Sequence, residues 1–113
     1  MAVTQEQIKK ELSAGKPYVV AVLTRGEKFI TDKAGAEAMR AKHFEHLFQL
    51  RAEGKVSVVF GTRENGELRT IELFLLSDKA EVERLVKADP AVQADHFAYE
   101  LHAVTGLPGD MVK

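Results

Sequence analysis

Glu64-Asn65-Gly66-Glu67 lies between two runs of strand-like composition, Lys55-Val56-Ser57-Val58-Val59-Phe60 and Leu68-Arg69-Thr70-Ile71-Glu72-Leu73-Phe74-Leu75-Leu76. An Asn-Gly step between such runs is the strongest short hairpin signal, because both residues tolerate the backbone of a tight reversal. The two runs are therefore expected to pair antiparallel, and the remaining elements must be arranged around that pair.

Tyr18-Val19-Val20-Ala21-Val22-Leu23 is apolar at nearly every position, the mark of a mid-sheet strand covered on both faces. A polar loop through Arg25-Gly26-Glu27-Lys28 leads to a stretch with helical spacing from about Ala34 to Glu53, ending at Gly54 as C-cap. Ser77 or Asp78 can cap a second helix, Lys79 to Ala88, with Val82, Leu85 and Val86 on its buried side and Pro90 as its stop. Phe97, Tyr99, Leu101 and Ala103 alternate with His96, Ala98, Glu100 and His102, which predicts a last strand. At the start, Thr4-Gln5-Glu6-Gln7 fits a capping box, and Ile8 and Leu12 share a face of a short helix that Gly15 and Pro17 end near Ser13.

The order is a helix followed by strand-helix-strand-strand-helix-strand. It predicts an α+β fold of the ferredoxin-like βαββαβ type, an antiparallel sheet with helices on one face and the first and third strands in the middle. One domain is expected, with an N-terminal helical extension over 1–16, the sheet domain over 17–104 and a tail over 105–113. Helices can cover only one sheet face, so a second copy of the sheet is expected on the other, giving a homodimer of the α/β-barrel type.

Composition narrows the function classes. The chain has 113 residues, a formal net charge of -1 and no cysteine. Balanced charge without a Lys/Arg block argues against nucleic acid as partner. No apolar run approaches the ~20 residues of a membrane helix, and the first ten residues lack a signal peptide's apolar stretch, so a cytoplasmic protein with no membrane partner is expected. Disulfides, thiolate metal sites and thiol nucleophiles are excluded.

On a helical wheel Met39, Phe44, Leu47, Phe48 and Leu50 define an apolar arc of roughly 180°, and His43 and Arg40 fall inside it. A desolvated imidazole needs a partner, and Asp89, at the Asp89-Pro90 step, is the candidate. A carboxylate on one ring nitrogen would fix the tautomer and leave the other nitrogen for a substrate proton. A histidine on an apolar helix face can equally be a satisfied core residue, and Asp-Pro a stop signal. Arg40, Ser57 and Glu72 are candidate substrate contacts. Glu72, Glu100 and His102 are expected on the sheet face away from the helices. His43 and His46 have a spacing compatible with a metal site, but two ligands are too few, so no metal is assigned. No glycine-rich phosphate loop is present.

The chain resembles the YCII-related (YciI-like) family of small dimeric α+β proteins. The resemblance spans about Pro17 to Val104. It rests on Tyr18-Val19-Val20, on Arg40-Ala41-Lys42-His43 with Leu47 and Leu50, on Gly54 before a strand ending Phe60-Gly61, and on Asp89-Pro90-Ala91-Val92. It implies a ferredoxin-like fold and a functional His-Asp pair at His43 and Asp89. Thr62 stands where the family usually has proline, and Asp95 where it often has glycine.

The resulting expectation is a cofactor-free enzyme that moves a proton on a small-molecule substrate by general acid/base chemistry, as an isomerase or lyase does. The alternative is a non-catalytic dimeric module that binds a metabolite or protein.

Overall fold

A computed structural model describes residues 2–113. The elements are α1 (Gln5–Ser13), β1 (Lys16–Arg25), α2 (Lys33–Ala52), β2 (Val56–Gly61), β3 (Leu68–Phe74), α3 (Lys79–Lys87), α4 (Pro90–Gln93) and β4 (Phe97–Gly106). The four strands form one antiparallel sheet in the order β2-β3-β1-β4, which puts the apolar β1 and β3 in the two middle positions.

Along β1 the side chains alternate. Val19, Ala21 and Leu23 are fully buried, while Val20 and Val22 on the opposite face are only half-buried. The buried set joins Phe74 of β3, Leu47 and Leu50 of α2, Val82 and Val86 of α3, and Ala91 of α4 in one core. The expectation that β1 is covered on both faces therefore holds for one face of this single chain.

Helix α2 stops where the sequence places its end, and the reason is local. Gly54 has φ +76, its N–H donates to Arg51 O, and the Lys55 N–H donates to Leu50 O. That pair of bonds closes the last turn of the helix and requires a left-handed residue, which glycine supplies without a Cβ penalty. The buried stripe of α2 is narrower than the wheel predicts: His43, Leu47 and Leu50 are buried, whereas Phe48 is 54% exposed. Phe48 instead packs edge-on against Phe44 at the helix surface and carries the Arg51 guanidinium on its ring.

Three local features differ from what the sequence predicts. The Asn-Gly step is not a tight two-residue turn, since β2 ends at Gly61 and β3 begins at Leu68, and neither Asn65 nor Gly66 has positive φ. Asn65 uses its side chain to accept from Arg25 Nη2 at 2.6 Å, tying the loop to the end of β1. Pro90 does not simply end a helix. It stands at the first position of α4, where its fixed φ suits a helix start, and Asp89 is the N-cap. Strand β4 runs on to Gly106, paired with Lys16 of β1, so the C-terminal tail begins later than residue 105. Helix α1 is capped by Thr4 as expected and buries none of its own residues.

Candidate functional site

The site lies where α2 crosses β3 and the α3–α4 junction. His43 is 1% exposed, and its Nδ1–H donates to Asp89 Oδ2 at 2.5 Å. A carboxylate can only accept, so this contact puts the ring hydrogen on Nδ1. Asp89 is held from its other side, because Oδ1 accepts from the Ala91 N–H at 2.9 Å as the cap of α4. The Asp-Pro step thus builds the site: Pro90 starts the helical turn, and the turn fixes the carboxylate that orients the histidine. The rings of Phe97 and Phe44 pack against His43 at 5.1 and 5.2 Å.

Across the imidazole stands Glu72. Its register partners are Ala21 of β1 and Val59 of β2, so the carboxyl group emerges between apolar neighbours on the helix side of the sheet. Burial, partly offset by the His43 charge and reinforced by that of Asp89, pushes its pKa up to about 7. Glu72 Oε2 is 3.8 Å from His43 Nε2, too far for a direct hydrogen bond. Both atoms, together with Thr70 Oγ1, are buried without a hydrogen-bond partner among the described residues. Orphaned buried polar groups each cost about 1–3 kcal/mol, so the histidine's own Nε2 and two more such atoms beside it mark a place reserved for something other than packing.

The expectation that Glu72, Glu100 and His102 share the face away from the helices is corrected for Glu72. Glu100 pairs with Val22 and His102 with Val20, on the open face, while Glu72 pairs with Ala21 on the buried one. Glu100 and His102 are exposed and 3.4 Å apart.

Beside this chain of groups is a cavity of about 220 Å³. His43 and Thr70 line it, and so do Arg40 and Arg69, Phe29, Phe44, Phe97 and His96. Arg40 therefore shares a cavity with His43, as the sequence suggests, although its guanidinium is exposed and lies over the Phe44 ring at 5.3 Å. Ser57 is not brought in. It sits in the irregular stretch of edge strand β2, between Val56 and Val59, and does not line the cavity.

Arg69, Thr70 and Phe29 are not singled out by the sequence, and His96 stands out there only as part of the alternation that predicts the last strand. His96 Nδ1 accepts from the Ile30 N–H at 2.9 Å and the ring stacks on Phe29 at 4.5 Å and 8°. Burial and the nearby His43 and Arg69 charges hold its pKa below the usual histidine value. Its placement depends on Gly26, whose N–H donates to His96 O and where a Cβ would meet Asp95 O at 2.1 Å. Asp95 in turn has φ 58, the left-handed conformation that glycine adopts most easily. A glycine facing an unusual residue just before a strand is the one signal that could have found this corner.

Among the described residues, His43, Glu72 and Asp89 form a group whose ligand atoms lie within 4.8 Å of one another. Asp89 Oδ2 is already engaged by Nδ1, which leaves Nε2 and Glu72 to face a cation, fewer than the three or four protein ligands of a zinc site. His46 is not part of it, since its Nε2–H donates to Leu85 O at 2.8 Å, a link between α2 and α3. No helix among the described residues is long and apolar enough to cross a membrane. The chain matches no model of a known protein family and is similar to no curated protein sequence.

Proposed function

We propose that the chain is a cofactor-free enzyme that moves a proton on a small cyclic or carbonyl-bearing molecule, with His43 as the acid/base and Asp89 as its orienting partner. The observation that carries this reading is a buried histidine with Nδ1–H fixed on a capped carboxylate and Nε2 left without a partner. A neutral imidazole so oriented is a base at Nε2, and the Asp89 charge stabilises the imidazolium that forms when it takes a proton. Glu72, its pKa pushed up to about 7 by burial, stands 3.8 Å beyond Nε2 and serves as a proton reservoir for the imidazole rather than as a direct substrate contact.

The strand order read from the other edge, β4-β1-β3-β2, supports a ferredoxin-like arrangement and with it the YCII-related resemblance. The half-buried apolar residues on the open face, Val20, Val22, Ile71 and Leu73, support a homodimer that covers them with a second copy. A cytoplasmic location belongs to the same reading.

In D2O, the wild-type chain is expected to catalyse deuterium exchange at carbon next to the carbonyl in a panel of ring ketones and ring carboxylic acids, followed by proton NMR. His43→Gln should lower that rate at least about a hundredfold while keeping the wild-type circular dichroism spectrum. Equal rates in the two proteins would remove His43 from the chemistry.

A second reading, a metabolite-binding module, is favoured by one observation. Nε2 faces Glu72 and is buried, so a ligand in the cavity can meet the imidazole ring without meeting the base. On that reading neither protein exchanges any member of the panel.

A further inference from the structure

The walls of the cavity carry an unbalanced charge. Arg40 and Arg69 both line it, and neither is in an ion pair with a carboxylate among the described residues. Arg69 is positioned instead by donating to Gly66 O at 3.0 Å and by lying over the Phe29 ring at 5.7 Å. The two carboxylates of the site, Asp89 and Glu72, are not among the lining residues and face His43. A guanidinium keeps its charge throughout the pH range in which proteins fold and presents a planar fork suited to a carboxylate. Two such groups on one small cavity with no acid in its wall select for an anion.

The remaining walls describe the rest of the ligand. Phe29, Phe44 and Phe97 are apolar and flat-faced, and His96, its Nδ1 taken by Ile30, keeps its ring hydrogen on Nε2. Thr70 is 5% exposed and its hydroxyl has no partner, so one polar acceptor or donor is catered for at depth. A cavity of about 150 Å³ is known to hold benzene, so about 220 Å³ leaves room for one six-membered ring with one or two small substituents.

We propose that this cavity binds a small single-ring carboxylic acid in its ionised form, the carboxylate held by Arg40 and Arg69 and the ring against Phe29, Phe44 and Phe97. A second polar substituent on the ring meets Thr70 Oγ1. The proposal rests on reading the cavity as the substrate pocket of the enzyme above, and it names the class of substrate.

The test is a calorimetric titration of the full chain with benzoate and 4-hydroxybenzoate, each against its neutral primary amide of nearly the same shape. The acids are expected to bind at least tenfold more tightly than the amides, and raising the salt concentration should shrink that preference. Arg40→Gln, at an exposed position where folding is not at stake, should reduce the preference several-fold, and Arg40→Gln/Arg69→Gln should abolish it. Thr70→Val should weaken 4-hydroxybenzoate more than benzoate. Amides binding as tightly as acids, or an acid preference that survives the double substitution, would overturn the proposal.

Binding is read without turnover, so the two readings fail separately. Benzoate binding with no deuterium exchange anywhere in the panel leaves the anion site standing and removes the enzyme. Exchange confined to neutral ketones, with no acid bound, does the reverse.

Discussion

Asp89→Ala is expected to destabilise the fold by about 3–4 kcal/mol, among the largest effects of any single polar substitution in the chain. Two losses add. Removing the carboxylate strands His43, 1% exposed, with no partner for Nδ1–H, and a broken buried pair of this kind costs several kcal/mol. It also uncaps α4, where Oδ1 accepts from the Ala91 N–H, and a lost N-cap costs about 1 kcal/mol. Asp89→Asn should be milder, about 1–2 kcal/mol, because the amide oxygen can keep the cap while the amide nitrogen faces a ring that has changed tautomer. Urea unfolding of both variants, with His43→Leu and the double variant to close a thermodynamic cycle, separates the pair from the cap. If Asp89→Ala costs less than about 1 kcal/mol, the contact between the two side chains is not part of the folded protein in solution.

Glu72→Gln is expected to stabilise the chain progressively as pH rises above about 4.5, with the full effect reached above pH 7. The folded-state pKa of about 7 lies above the ordinary value of 4.5, so between these values the folded chain holds a proton that the unfolded chain has released. Stability should therefore fall as pH rises from about 4.5 through 7 and level off above, by about 3 kcal/mol in all. Glutamine has no charge to desolvate, and it removes this slope. Wild type and variant should unfold at nearly the same urea concentration at pH 4.5 and differ by about 2–3 kcal/mol at pH 8.5, the variant being the more stable. A difference independent of pH would mean that Glu72 ionises as an ordinary carboxylate. The same result bears on function, since a carboxyl group that gives up its proton near pH 7 can serve as an acid at neutral pH and one at 4.5 cannot.

Periodicity made most of this architecture legible, and it did so where side chains have one dominant reason to point one way. Leu47 and Leu50 in α2, Val82 and Val86 in α3, and Val19, Ala21 and Leu23 in β1 are buried as their spacing requires. The pair His43 and Asp89 was legible for the same reason: each is a polar group at a position that packing would otherwise claim.

What escaped the sequence depended on information that periodicity does not carry. Glu72 was assigned to the wrong sheet face because alternation along β3 alone does not say which set faces the helices. That is fixed by its register against Ala21. The Asn65-Gly66 step predicts a pairing correctly without forming the tight turn, since the longer loop is held by the Asn65 side chain on Arg25. Ser57 lies in the irregular stretch of β2, where strand alternation does not predict the face a side chain takes. Arg69, Thr70 and His96 come together only because the β2–β3 loop, the β1–α2 loop and the start of β4 close on one another, through contacts such as Gly26 on His96 and Ile30 on His96. Such loop-to-loop closure has no short-range signature.

The central claim is that His43 carries its hydrogen on Nδ1, against Asp89, and offers a bare Nε2 as base. A long-range proton–nitrogen NMR spectrum of the ¹⁵N-labelled chain reads this directly, because the two ring nitrogens shift apart according to which is protonated. The account requires the neutral His43 ring to show a protonated Nδ1 and an unprotonated Nε2 in the wild type, and the hydrogen moved to Nε2 in Asp89→Asn. A neutral ring with its hydrogen on Nε2 in the wild type would contradict it, since such a ring can neither donate to Asp89 nor take a substrate proton at Nε2.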